Sequence, residues 1–112
     1  MEFVSLNQLT AKPGRRDRLV EILLESGRLF DDNPACRLYL VAESADEPSL
    51  VWVADLWTSE EEHAEALKVP EMRPFVEQVH ALARGHPEPR RRRTAGVQIP
   101  TRSDGGRAVA HR

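Results

Sequence analysis

The sequence predicts an α+β domain of the ferredoxin-like, split β-α-β kind. Three observations carry that prediction. Its apolar segments read in the order strand, helix, strand, strand, helix, strand. The turn between the second and third strands is short enough to make them an antiparallel hairpin. The third strand is apolar on both faces, so something besides its own helices must cover it. A chain of 112 residues, 40% hydrophobic and 30% charged, fits one globular domain. A domain of that size buries only roughly 60 to 70% of its unfolded surface, which favours self-association.

Residues 2–10, "EFVSLNQLT", have strand length, and Pro13-Gly14 then turns the chain. From Arg15, apolar Leu19, Ile22, Leu23, Leu29 and Phe30 form a helical stripe opposite Arg16, Asp17, Arg18, Glu21 and Glu25. That helix ends near "DDNP", because Pro34 and the residue before it both resist helical geometry. "CRLYLVAE" (36–43) and "LVWVADLW" (50–57) are the second and third strands, separated by the turn residues "SADEPS". Thr58 and Ser59 followed by Glu61 and Glu62 match a capping box and start the second helix. Pro70 interrupts it; Met72, Phe75, Val76, Val79 and Leu82 then recur at helical spacing through Arg84, with Gly85 as a stop. A weaker last strand is expected near 92–99. The domain is thus placed at 1–99, with a mobile C-terminal tail at 100–112, where glycine and charge replace periodicity.

The charge balance of 16 basic against 18 acidic residues offers no general attraction to nucleic acid or to an anionic membrane. Cys36 is the single cysteine, so an internal disulfide framework is excluded. No segment reads as a signal peptide or membrane span, and a cytoplasmic location is expected. There is no dinucleotide-type glycine loop, zinc-spaced His and Cys cluster or nucleophile elbow. Trp52 and Trp57 have opposite parity, so one faces the helices and the other faces away, and the pattern alone leaves open which.

"KPGRRDRL" after the first strand, "NPACRLYLVAE" into the second, and "VWVADLWTSEEEH" together resemble the antibiotic biosynthesis monooxygenase superfamily, in its bacterial quinol monooxygenase branch. The resemblance spans residues 2–99. It implies a homodimeric α+β barrel in which two ferredoxin-like sheets close on each other and each subunit keeps a pocket between sheet and helices. It also implies oxidation of a hydroquinone or a polyketide-derived phenol or anthrone by dioxygen, with no cofactor and no metal. The partners implied are a second copy, a small aromatic substrate and dioxygen, with neither nucleic acid nor membrane.

Three residues are carried over as catalytic candidates. Asn7, in the first strand, matches a pocket-lining asparagine of the haem-degrading relatives, although alternation permits a solvent-facing position. Trp57 matches the tryptophan that closes the third strand, where an anchoring role in the core competes with a catalytic one. His63, six residues later, matches the histidine of "W-x-x-x-x-x-H". It could accept a phenol proton or steady the anion, or merely begin a solvated helix among Glu60, Glu61, Glu62 and Glu65. Tyr39, Met72, Arg73 and Phe75 are expected as substrate-binding wall or donors, although for Met72 and Phe75 a place in the ordinary helix core is the stronger reading. His80 reads as exposed, and Asp55, a carboxylate in an apolar strand, reads as structural and in need of a partner or water.

Two departures narrow the resemblance. Histidines common later in the family's second helix are replaced by Ala66 and Glu71. The tryptophan and histidine that haem degradation requires are replaced by Ala66 and approximately Val76, which argues against that activity. "RRRR" (90–93) concentrates positive charge without interleaved aromatics and reads as a solvated approach to the last strand. A non-oxidative cyclase or isomerase of an aromatic polyketide-like substrate, and a non-catalytic dimer that binds a small aromatic ligand, are the alternatives the sequence leaves.

Overall fold

The computed structural model describes residues 1–84 and the backbone of residues 90–93 and 108–111. Its elements are β1 (Phe3–Thr10), α1 (Arg16–Gly27), β2 (Cys36–Glu43), β3 (Leu50–Trp57), α2 (Glu60–Leu67), α3 (Arg73–Leu82), β4 (Arg90–Arg93) and β5 (Ala108–His111). The strands form one sheet in the order β4-β1-β3-β2-β5. The first four of these strands have the ferredoxin-like topology, and β1 pairs antiparallel with both β3 and β4. The predicted second and third strands coincide with β2 and β3, and the fourth begins two residues before its expected start. Residues 94–99, Gly85 and the boundary placed after residue 99 lie outside the described residues. Within the expected tail, residues 108–111 form β5, parallel to β2, an element that the composition did not signal.

Local chemistry explains the element ends. Gly14 takes a φ of 73°, the left-handed geometry that a Pro-Gly turn requires. Ser59 caps α2 by accepting the Glu62 backbone N–H through Oγ at 3.1 Å, as the capping motif predicts. Pro70 breaks the helical run into a short 3-10 turn, Pro70–Met72, before α3 resumes. The end of α3 is tied to the end of β1 by Lys12 N–H to Leu82 C=O at 2.8 Å and Arg84 N–H to Thr10 C=O at 2.7 Å.

The register assigns each face. Facing the helices, the rows across β1, β3 and β2 are Leu9–Val51–Glu43, Asn7–Val53–Val41, Ser5–Asp55–Tyr39 and Phe3–Trp57–Cys36. The other face carries Gln8–Trp52–Ala42, Leu6–Ala54–Leu40 and Val4–Leu56–Leu38. Trp57 is therefore the inward tryptophan, fully buried, and Trp52 the outward one, 43% exposed between a polar and a small neighbour. The core lies under α1, where Leu19, Val20 and Leu23 meet Val41, Val51, Phe30 and Trp57. Gly27 allows this approach, because a Cβ there would lie 2.5 Å from Cε2 of Tyr39.

Candidate active site

Between the sheet and the paired helices lies a cavity of about 340 Å³. Its roof and far wall are apolar: Met72, Phe75, Val76 and Val79 from the α3 region, Leu67 from α2 and Leu23 from α1. Leu67 and Val76 line it while remaining 46% and 43% exposed, so its mouth opens between α2 and α3. Polar groups gather on its floor. Ser5, Asp55 and Tyr39 stand in one row across three strands, with Asn7 beside Ser5. Neighbouring strands lie about 4.8 Å apart, so the row spans the width of a small aromatic ring system.

Asn7 faces the helices, which decides the question alternation left open. Its Nδ2 donates to Ser5 Oγ at 3.3 Å, and the second N–H of that amide has no partner among the described residues. Tyr39 also lines the cavity, but its hydroxyl donates to Leu23 C=O at 2.8 Å and burial pushes its pKa up to about 12. Its phenol is thus a neutral structural strut. Ser26 Oγ donates to the same carbonyl at 2.9 Å.

The most unusual group is Asp55, 5% exposed on the cavity floor. The Trp57 indole Nε1–H donates to its Oδ2 at 2.6 Å, and His63 Nε2 lies 3.6 Å from the same oxygen. Oδ1 has no partner among the described residues. Burial raises the Asp55 pKa from 3.8 to about 6, against the smaller opposing effect of the indole hydrogen bond. His63 is wedged between the rings of Phe3 and Trp57, at centroid distances of 5.2 and 5.3 Å. Burial lowers its pKa, so at neutral pH the pair rests as carboxylate and neutral imidazole despite its ion-pair spacing.

Of the sequence-predicted residues, the cavity gathers Asn7, His63, Tyr39, Met72 and Phe75. Two of the named residues stand outside it. Trp57 does not line the cavity; it is buried against Phe30, with ring centroids 5.0 Å apart, and reaches the site through its hydrogen bond to Asp55 and its ring contact with His63. Arg73 is exposed and outside the cavity, since it follows Met72 by one residue and α3 turns it away from the inward Met72–Phe75 face. His80 is exposed and sits on the cavity rim. The sequence reading missed Ser5 and treated Asp55 as structural. The missing signal was parity: Ser5 shares a face with Asn7, and Asp55 with Trp57.

The family profile described as antibiotic biosynthesis monooxygenase matches residues 2–78. A solved structure from Chloroflexus aurantiacus J-10-fl, named for the same family, is 25% identical, with a TM-score of 0.78 over 88% of this chain and 98% of its own. SnoaB of Streptomyces nogalater, described as a cofactor-independent oxygenase, is 19% identical, with a TM-score of 0.75 over 89% of this chain and 98% of its own. Rv0793 of Mycobacterium tuberculosis is 18% identical, with a TM-score of 0.74 over 90% of this chain and all of its own, 100%. No protein of curated function is matched by the sequence.

Proposed function

Because the chain belongs to the antibiotic biosynthesis monooxygenase family, we propose that it oxidises a flat aromatic substrate bearing an ionisable hydroxyl, using dioxygen and no flavin, haem or metal. The observation that carries this reading is the polar row Ser5–Asp55–Tyr39, with Asn7, on the floor of an otherwise apolar hollow. A ring laid there has its faces against Met72, Phe75 and Val79 and its oxygen toward Asn7 and the Asp55–His63 pair.

A phenol with a pKa of ~10 is neutral at pH 7, whereas its anion readily gives an electron to dioxygen. The hydroxyl proton leaves toward the Asp55–His63 pair, and the second N–H of Asn7 binds the oxyanion. A preorganised donor of that kind contributes about 2 to 4 kcal/mol in a closed site. Dioxygen takes one electron to give superoxide, and the radical pair combines at a ring carbon that carries hydrogen. The peroxide formed loses water, leaving one oxygen atom as a quinone carbonyl. All four electrons come from the substrate, so one substrate and one dioxygen give one quinone and one water. No separate reductant enters that balance. The apolar walls keep water from the radical intermediates.

The same reading makes the protein a homodimer, with the outer sheet face around Trp52 closing on a second copy to form an α+β barrel. Its support is that Trp52 remains 43% exposed on an apolar strand. The decisive experiment is an oxygen-electrode assay of metal- and flavin-free protein with a panel of hydroquinones, naphthols and anthrones. Uptake of one dioxygen per substrate is expected. No uptake across the panel would remove the oxygenase reading, and product formed equally without air would point instead to a cyclase or isomerase.

A further inference from the structure

The reaction just described requires a proton acceptor, and the cavity offers two titratable groups at its polar end. They are not equivalent. His63 lies against the rings of Phe3, tilted at 43°, and Trp57, in an edge contact at 66°, and its Nε2 is 3.6 Å from Asp55 Oδ2. Asp55 commits Oδ2 to the Trp57 indole and leaves Oδ1 without a partner among the described residues, in a side chain about nine-tenths buried that lines the cavity. A buried carboxylate oxygen without a hydrogen bond is costly unless a ligand supplies the donor. Ser5, directly across the sheet, makes no hydrogen bond to it and instead accepts from Asn7.

We propose that Asp55 is the catalytic base, its Oδ1 taking the hydroxyl proton of the bound aromatic, and that Trp57 is a positioning residue that holds Oδ2 so that Oδ1 meets the substrate. The proposal rests on the oxygenase reading for its substrate class. In the step, the substrate O–H bond breaks, a bond forms between that proton and Oδ1, and the electron pair stays on the substrate oxygen. The resulting carboxylic acid then donates back to the oxyanion, so the net charge of the site is unchanged.

The surroundings agree with this division. The titratable groups facing Asp55 are Tyr39 from β2 and His63 from α2, with His80 from α3 on the rim of the same cavity; α1 contributes only Leu23 and Ser26. Tyr39 holds its proton, bound to Leu23 C=O. Burial weakens His63 as a base and strengthens Asp55, whose pKa of about 6 keeps it ionised at pH 7 while raising its proton affinity.

The test is proton linkage, which a purely structural role would leave unmoved. At pH 7, 2,4-dinitrophenol is already an anion, so binding it next to ionised Asp55 requires uptake of one proton. Calorimetry in two buffers of different ionisation enthalpy measures that uptake. The full-length wild type is expected to take up about one proton per ligand, Asp55→Asn none, and His63→Gln about one. Asn at this position keeps an acceptor for the indole. Trp57→Phe removes the hydrogen bond that lowers the Asp55 pKa, and is expected to move the midpoint of uptake to higher pH. Proton uptake that persists in Asp55→Asn, an unmoved midpoint in Trp57→Phe, or no binding to the wild type would overturn the proposal. In turnover, Asp55→Asn is expected to lower kcat by about 10² to 10⁴-fold. Because the linkage needs no oxygen chemistry, its failure and that of the oxygenase reading are separate results.

Discussion

The two faces of the sheet meet opposite fates although they are made from the same strands. Trp57 and Trp52 lie five residues apart on β3; one is fully buried and the other 43% exposed. On the inner face the helices bring enough apolar surface to enclose not only Trp57 but also Ser5 and Asp55. On the outer face, Trp52 stands between Gln8 and Ala42, one polar and one too small to shield an indole. The lesson is that burial on this sheet does not follow residue type. A carboxylate is enclosed and a tryptophan is not, which is the reverse of what transfer free energies would select. The proposed function gives each a use: a ligand for the carboxylate, and a second copy for the tryptophan.

The largest expected effect is on the inner face. Trp57→Ala removes a fully buried ring packed on Phe30 and His63 and should cost about 3 to 5 kcal/mol in urea unfolding. A loss under about 1 kcal/mol would mean that the indole is not the anchor of this face. Next is Asp55→Asn. The native carboxyl holds its proton up to about pH 6, whereas the ordinary value is 3.8. The native state therefore gains stability as pH falls from about 6 toward 4, and that gain is absent at pH 7, where ionisation costs about 3 kcal/mol. The amide variant should be more stable than the wild type at pH 7 by up to about 3 kcal/mol, and equal to it near pH 4. Urea unfolding at the two pH values checks this, and equal stabilities at pH 7 would show that the fold depends on the carboxylate. That stability gain, set against the expected loss of turnover, is the signature of a residue held for chemistry.

The smallest effect on the subunit's own fold is expected at the outer face. Trp52→Ser should change unfolding of the isolated subunit by no more than about 0.5 kcal/mol, as exposed positions do. Sedimentation velocity should nevertheless show a shift from dimer to monomer. A wild type that sediments as a monomer, or a variant that stays dimeric, would assign the exposed indole another role.

Much of this was legible beforehand, and the reasons differ by residue. The bounds of β2 and β3 follow from apolar runs ended by turn residues, and the start of α2 follows from Ser59 and the glutamates after it, because these signals act within a few residues. Asn7, His63, Met72 and Phe75 could be named from resemblance and helical spacing. That Arg73 lies outside the cavity could not be read in the same way, since a one-residue offset on a helix entered through a 3-10 turn decides which side chain points inward. Asp55 was visible as an anomaly, a charge inside an apolar strand, but not as the possessor of an unclaimed oxygen.

By itself, the chain's order of residues determined the succession of strands and helices, their caps and breaks, and the alternation that splits β3 into two sets, because propensity, capping and periodicity are local properties. Only the folded molecule decided which set lies under the helices. It also brought Ser5, Asp55 and Tyr39 level across three strands, and set the Asp55 carboxylate between the Trp57 indole and the His63 imidazole. Those relations join residues as many as 50 positions apart, such as Ser5 and Asp55, and are set by register and packing. The physical reason is that a side chain's charge state and its free hydrogen-bonding atoms depend on what surrounds it in space, and neighbours in sequence supply only part of that.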